Sequence, residues 1–138
     1  MSAFVTSFTY CDNIQTEFTP QGQKTNIFNP LNALAPVAIP GNYSFAISCA
    51  IAGLKEADVN MLQMKFVTGS GTVINDTGVI SIPLPSKNAD QNQPTVLQFN
   101  FDIRNLVLTE EGIYTTEVYA NGEKIGEYKI PVIKGGQQ

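Results

Sequence analysis

The chain predicts an all-β fold, two packed antiparallel sheets of seven to nine strands with at most one short helical turn. Three observations predict it. Leu97, Phe99, Phe101 and Ile103 alternate with Gln98, Asn100, Asp102 and Arg104, the period of a strand with one core face and one wet face. Turn signals stand at Gln21-Gly22, Gly69-Ser70-Gly71, Asp76-Thr77-Gly78 and Asn121-Gly122, close to the spacing of a sandwich. The end of the chain pairs two alternating segments across an Asn-Gly dipeptide, the strongest short-range hairpin signal.

In order, Phe4, Thr6, Phe8 and Tyr10 share one face of a first strand, which breaks after Cys11-Asp12-Asn13. A second strand runs near Thr25 to Phe28. Residues 29–41 follow as a proline-rich strap. Pro30, Pro36 and Pro40 forbid a regular helix or central strand there. Yet Leu31, Leu34, Val37 and Ile39 are too apolar for a free loop. The strap either lies over one edge of the sandwich or binds a partner.

Tyr43 to Ala52 is the central strand. Tyr43, Phe45, Ile47, Cys49 and Ile51 point to a core. Ser44, Ala46, Ser48, Ala50 and Ala52 form a face of small residues, over which another segment or chain packs. Leu54 to Asp58 suits a single helical turn. Met61 to Val67 is a strand with Leu62, Met64 and Phe66 inward. Thr72 to Leu84 is a strand interrupted at Asp76-Thr77-Gly78. Residues 86–94 are polar and breaker-rich, which predicts a mobile loop.

In the closing hairpin, Tyr114, Thr116, Val118 and Ala120 face the core. Gly112 two residues before Tyr114 is how many immunoglobulin-like sandwiches enter their penultimate strand, and it predicts a tyrosine corner. Asn121 and Gly122 supply the positive φ angles of a type I′ turn. Ile125 has the wrong parity to join Tyr128, Ile130 and Val132, so Gly126 marks a bulge. Pro131 cannot donate to a ladder and marks an edge or a second bulge.

Composition excludes function classes more readily than it assigns one. At 138 residues the chain fits one domain, residues 1–138. The net charge is −4 and Arg104 is the single arginine, so the cationic footprint of nucleic-acid binding is missing. The same charge argues against anionic membranes, and no apolar run approaches the ~18 residues of a membrane span. Histidine and tryptophan are absent, which removes the commonest general base and metal ligand. Cys11-Asp12 makes a poor nucleophile, because the carboxylate raises the thiol pKa. Cys11 and Cys49 read as free, buried thiols, which suits the cytoplasm. Glu110-Glu111 with Asp102, or Asp58 with Asn60, lacks the closely spaced acidic loop that calcium wants. No catalytic, cofactor or metal residue is assigned.

The order of features resembles an uncharacterised family of small bacterial or phage-borne immunoglobulin-like β-sandwich proteins, a domain of unknown function. The residues that carry the resemblance are Tyr10-Cys11-Asp12, the hairpin from Gly22 to Phe28, the stretch from Pro36 to Ile51, and Gly112 to Val132. It implies a fold and no mechanism. The functional expectation is a non-enzymatic intracellular module acting through protein–protein contacts. Its expected surface is Phe28, Leu31, Leu34, Val37 and Ile39 with Ser44, Ala46, Ser48 and Ala50. The partner is an unknown protein or a second copy of the chain. A phage, virion or cell-surface accessory domain and a small-ligand or carbohydrate binder are the alternatives.

Overall fold

The structure is a computed structural model and describes residues 3–56, 58–84 and 96–135. Nine strands are present among them: β1 Phe4–Thr19, β2 Gly22–Pro30, β3 Gly41–Ala52, β4 Val59–Val67, β5 Val73–Asp76, β6 Ile80–Pro83, β7 Val96–Leu108, β8 Gly112–Ala120 and β9 Glu123–Val132. They form two antiparallel sheets. One has the order β2-β1-β3-β7. The other runs β5-β4-β8-β9, with β6 also paired to β4. β5 and β6 take successive stretches of one edge of β4. They are the single strand, broken at Thr77-Gly78-Val79, that the turn residues predict. The predicted loop at 86–94 lies outside the described residues.

The core forms where the two sheets face each other. Phe45 and Ile47 from β3 meet Phe66 from β4 and Tyr114 from β8, all nearly or fully buried. Ring contacts run from Phe45 to Phe66 at 5.6 Å and from Phe66 to Tyr114 at 5.4 Å. Aromatic pairs at such spacings add to the burial of their area. Tyr10 ties the sheets by polar contacts as well. Its hydroxyl donates to the Tyr128 carbonyl oxygen at 2.7 Å and pairs with Thr116 Oγ1 at 2.7 Å. Burial of that hydroxyl pushes its pKa up to about 12.

The closing hairpin follows its local chemistry. Asn121 and Gly122 have φ of 51° and 81°, the left-handed values a type I′ turn requires. The β8–β9 register shifts between Val118 and Tyr119, which leaves Ile125 as the extra residue before Gly126. The Tyr114 hydroxyl donates to the Glu110 carbonyl at 2.7 Å and accepts from Glu110 N at 3.3 Å. This is the tyrosine corner.

Two local expectations change. β1 does not break at Cys11-Asp12-Asn13. It continues to Thr19, because β2 pairs with it from Cys11 to the turn. Leu54 to Asp58 forms no helix among the described residues. Asn60, which is fully buried, holds this stretch instead. Its Oδ1 accepts from Lys55 N at 3.0 Å and from Asn121 Nδ2 at 3.0 Å, and its Nδ2 donates to Lys55 O at 2.8 Å. A side chain that completes the loop's backbone bonds removes the need for helical ones.

Candidate functional site: a two-stranded β-arm

Four regions bear on function. The first is the far half of the β1–β2 hairpin. Phe4 to Cys11 of β1 pairs with β3. Beyond Cys11, β1 pairs with β2 alone among the described residues, so residues 12–29 form a two-stranded arm. A two-stranded ribbon is marginal by itself in water, and apolar side chains on it are costly to leave in solvent. Yet Phe18 at its tip is 82% exposed, and Ile27 and Phe28 are 40% and 45% exposed. Asn29 Nδ2 bonds the Asp12 carboxylate at the base of the arm. Sequence reasoning found Phe28 but missed Phe18. A strand that ends at Asn13 leaves Phe18 in a connection, and only the β1–β2 pairing carries it outward.

The second region is the strap. Leu34 forms a parallel bridge with Val132. Leu34 N donates to Pro131 O at 2.9 Å and Ile133 N donates to Leu34 O at 3.0 Å. Pro131 therefore turns its donor-less side to the strap and not to β8. The strap covers the end of β9, an edge otherwise open to pairing. Leu34 is fully buried, Leu31 and Ile39 are half-buried, and Val37 is 79% exposed. The predicted surface thus divides: Leu34 serves the core, and Phe28 and Val37 face solvent.

The third region is the small-residue face. Ala46, Ser48 and Ala50 are buried and Ser44 is half-buried. Neighbouring strands supply part of the cover. Gln98 Nε2 from β7 donates to Ser48 Oγ at 2.6 Å, and Asn105 N donates to Ser44 Oγ at 2.9 Å. Cys11 pairs beside Ala46. Small residues let these flanking side chains close over the strand.

The fourth region is a crevice of ≈ 180 Å³ on the β7 flank between the sheets, with Phe66, Phe101, Ile103, Asp102, Arg104 and Thr116 in its lining. Ligand pockets run from about 300 to 1,000 Å³, so this crevice lies below the drug-sized range. Part of its polar lining is engaged within the protein. Asp102 pairs with Arg104 at 3.0 Å, and Thr116 pairs with Tyr10.

The chemistry-bearing side chains do not converge. Cys11 and Cys49 are both buried and free. Burial pushes the Cys49 thiol up to about 12. Burial first, and Asp12 second, raise the Cys11 thiol. Neither is poised as a thiolate. Glu110 Oε1 accepts from Ser70 Oγ at 2.7 Å, and Asp58 Oδ1 accepts from Val59 N at 2.8 Å. Among the described residues no three Cys, Asp or Glu side chains gather as a metal site, and no helix is long and apolar enough to cross a membrane.

A family of unknown function (DUF6941) matches residues 6–133. This chain belongs to that family. The match takes in the whole arm, the strap and the closing hairpin, so the features above lie within the DUF6941 domain. No curated protein matches. Among solved structures, the DUF6941 chain is similar to an immunoglobulin-like protein from Pseudomonas aeruginosa, at 12% identity and a TM-score of 0.45, covering 96% of this chain and 97% of that one. It is also similar to part of an alkylpurine DNA glycosylase from Pseudomonas fluorescens, at 10% identity and TM-score 0.47, covering 91% of this chain and 30% of that one. Part of a β-glucosidase from Listeria innocua is similar at 12% identity and TM-score 0.46, covering 95% and 16%. These likenesses are of fold alone.

Proposed function

We propose that this protein is a non-enzymatic interaction module, a single sandwich domain that works inside the cell through protein–protein contacts. Its β1–β2 arm is the contact element. One observation carries the reading: Phe18 stands 82% exposed at the end of a ribbon whose far half pairs with no other strand among the described residues. Aromatic side chains, Phe among them, are enriched at protein–protein interfaces. Ile27 and Phe28 extend the apolar surface along the arm. The free thiols fit a reducing compartment. A crevice below the drug-sized range and the high thiol pKa values favour contact over chemistry.

The test is capture from an extract of the source cell, with the wild-type chain and a Phe18→Ser, Ile27→Ser double variant side by side. Both positions are exposed, so the variant folds with stability within about 1 kcal/mol of wild type. The variant loses the captured proteins that the wild type retains. Equal capture by the two refutes the arm as contact element.

A further inference from the structure

Open sheet edges in native proteins are blunted by short length, charge, a bulge or a covering segment. Among the described residues the outermost strands are β2, β5, β6, β7 and β9. β5 and β6 are short, at four residues each. β7 holds Asp102 and Arg104, and its register with β3 shifts beside Asn105, whose φ is 53°. β9 holds Glu123, Lys124, Glu127 and Lys129, and the strap covers its end. The inner margin of β1 in the arm holds Asp12 and Glu17 and no base. β2 differs from all of these. It runs nine residues with Lys24 as its one charge, and its Ile27 and Phe28 are exposed.

The hairpin turn decides which backbone groups of β2 point outward. Thr19 pairs with Gly22 across the two-residue loop Pro20-Gln21, and the Thr19 hydroxyl donates to Gly22 O at 2.8 Å. The pair that closes such a loop exchanges backbone bonds, and the sides alternate from there. Lys24, Asn26 and Phe28 therefore bond β1. Gln23, Thr25 and Ile27 present their N–H and C=O groups to the open edge. The left-handed φ of 54° at Asn29 resets the alternation, and Leu31 N then donates to Tyr10 O at 2.7 Å.

This edge is complementary to itself. Set two β2 strands antiparallel with Thr25 opposite Thr25 of a second copy. Gln23 then lies opposite Ile27 of that copy, and Ile27 opposite its Gln23. Each of these pairs joins outward-pointing groups and exchanges both backbone bonds. Lys24 falls opposite Asn26, so no like charges oppose, and a Thr–Thr pair at the centre is favourable. Neighbouring registers do worse. Centring on Lys24 opposes two ammonium groups. Centring on Asn26 sets Gln23 against Asn29, whose backbone leaves the ladder. Any register that pairs an odd residue with an even one opposes outward groups to inward ones.

We propose that two copies of this chain pair β2 to β2, antiparallel about a two-fold axis at Thr25. The proposal rests on the arm as contact element and names its occupant, a second copy. A two-fold contact closes at two copies. A contact confined to one strand edge belongs with the small, transient interfaces, so the dimer forms as concentration rises.

The experiment uses the full chain. Sedimentation velocity shows wild-type mass rising with concentration from one copy to two and no further. Thr25→Pro stays monomeric. The N–H it deletes points outward, so no bond to β1 is lost, and circular dichroism shows the variant folded. Under mild oxidation, Lys24→Cys mixed with Asn26→Cys gives a disulfide-linked pair. Such facing residues stand about 4.5 Å apart between Cα atoms, within disulfide reach. Neither cysteine variant links to itself, and the buried Cys11 and Cys49 stay silent. This readout decides the question even where the proline variant misfolds. A wild type that is monomeric at every concentration overturns the proposal, as does assembly beyond two copies or self-linking of either cysteine variant. If the wild type is monomeric while the Phe18 and Ile27 variant still loses captured partners, this inference fails and the interaction reading stands.

Discussion

Leu34→Ala and Val37→Ala together decide what the strap is for. The two residues lie three apart in one irregular segment, yet Leu34 is fully buried and Val37 is 79% exposed. Truncating Leu34 removes three carbons from the core. At about 0.8 kcal/mol per buried carbon this costs about 2.4 kcal/mol. The cavity left behind raises such losses to between roughly 2.5 and 5 kcal/mol. The backbone bonds of Leu34 to Pro131 and Ile133 survive the change, so relaxation into the cavity is limited. Val37→Ala removes side-chain atoms that already meet water, and costs less than about 0.5 kcal/mol. Urea unfolding followed by circular dichroism measures both. With a slope of roughly 2 kcal/mol per molar, Leu34→Ala lowers the midpoint by about 1–2.5 M and Val37→Ala leaves it in place. Equal midpoints for the two variants refute the strap as a fixed part of the core.

Other expectations follow from named contacts. Tyr114→Phe keeps the ring but deletes the bond to Glu110 O, and costs about 1–2 kcal/mol in thermal or urea unfolding. Unchanged stability removes the corner from the account of the fold. Asn60→Ala strips three hydrogen bonds from the junction between residue 55 and the Asn121 turn. It costs about 2–3 kcal/mol and speeds amide exchange at Lys55, and unaltered exchange there contradicts the role given to Asn60. Tyr10 and Cys49 titrate near 12 in the folded state, above their ordinary values of 10.0 and 9.0. Both are neutral when folded, so the unfolded chain loses its protons first. Their contribution is complete below about pH 9 and falls as pH rises toward 12. A flat midpoint from pH 8 to 11.5 refutes this. Both thiols react with an aromatic disulfide reagent only as fast as the chain unfolds, and rapid labelling of native protein contradicts their burial.

Legibility varied with the range of the interaction. The Asn121-Gly122 turn, the bulge at Gly126, the corner at Tyr114 and the break before Gly78 are each decided by two or three neighbouring residues, and each could be read along the chain. The alternation of Leu97 to Ile103 likewise names its core face without reference to a partner. The path of β1 could not be read so. Cys11-Asp12-Asn13 looks like a break in isolation, and only a register with residues 28–30 makes it strand. Helix at Leu54 to Asp58 fails for a similar reason, since Asn60 and Asn121 meet across 61 positions of chain.

By itself, the sequence determined the fold class, the closing hairpin and the buried cysteines. These depend on residue type and short-range order. Tertiary structure alone decided that Leu34 belongs to the core while Val37 does not, that the small-residue face lies under its neighbours, and that Phe18 stands out at the tip of an arm. It also decided which edges remain open among the described residues. Edges and exposure belong to strand order, and strand order is set by contacts between segments far apart in the chain.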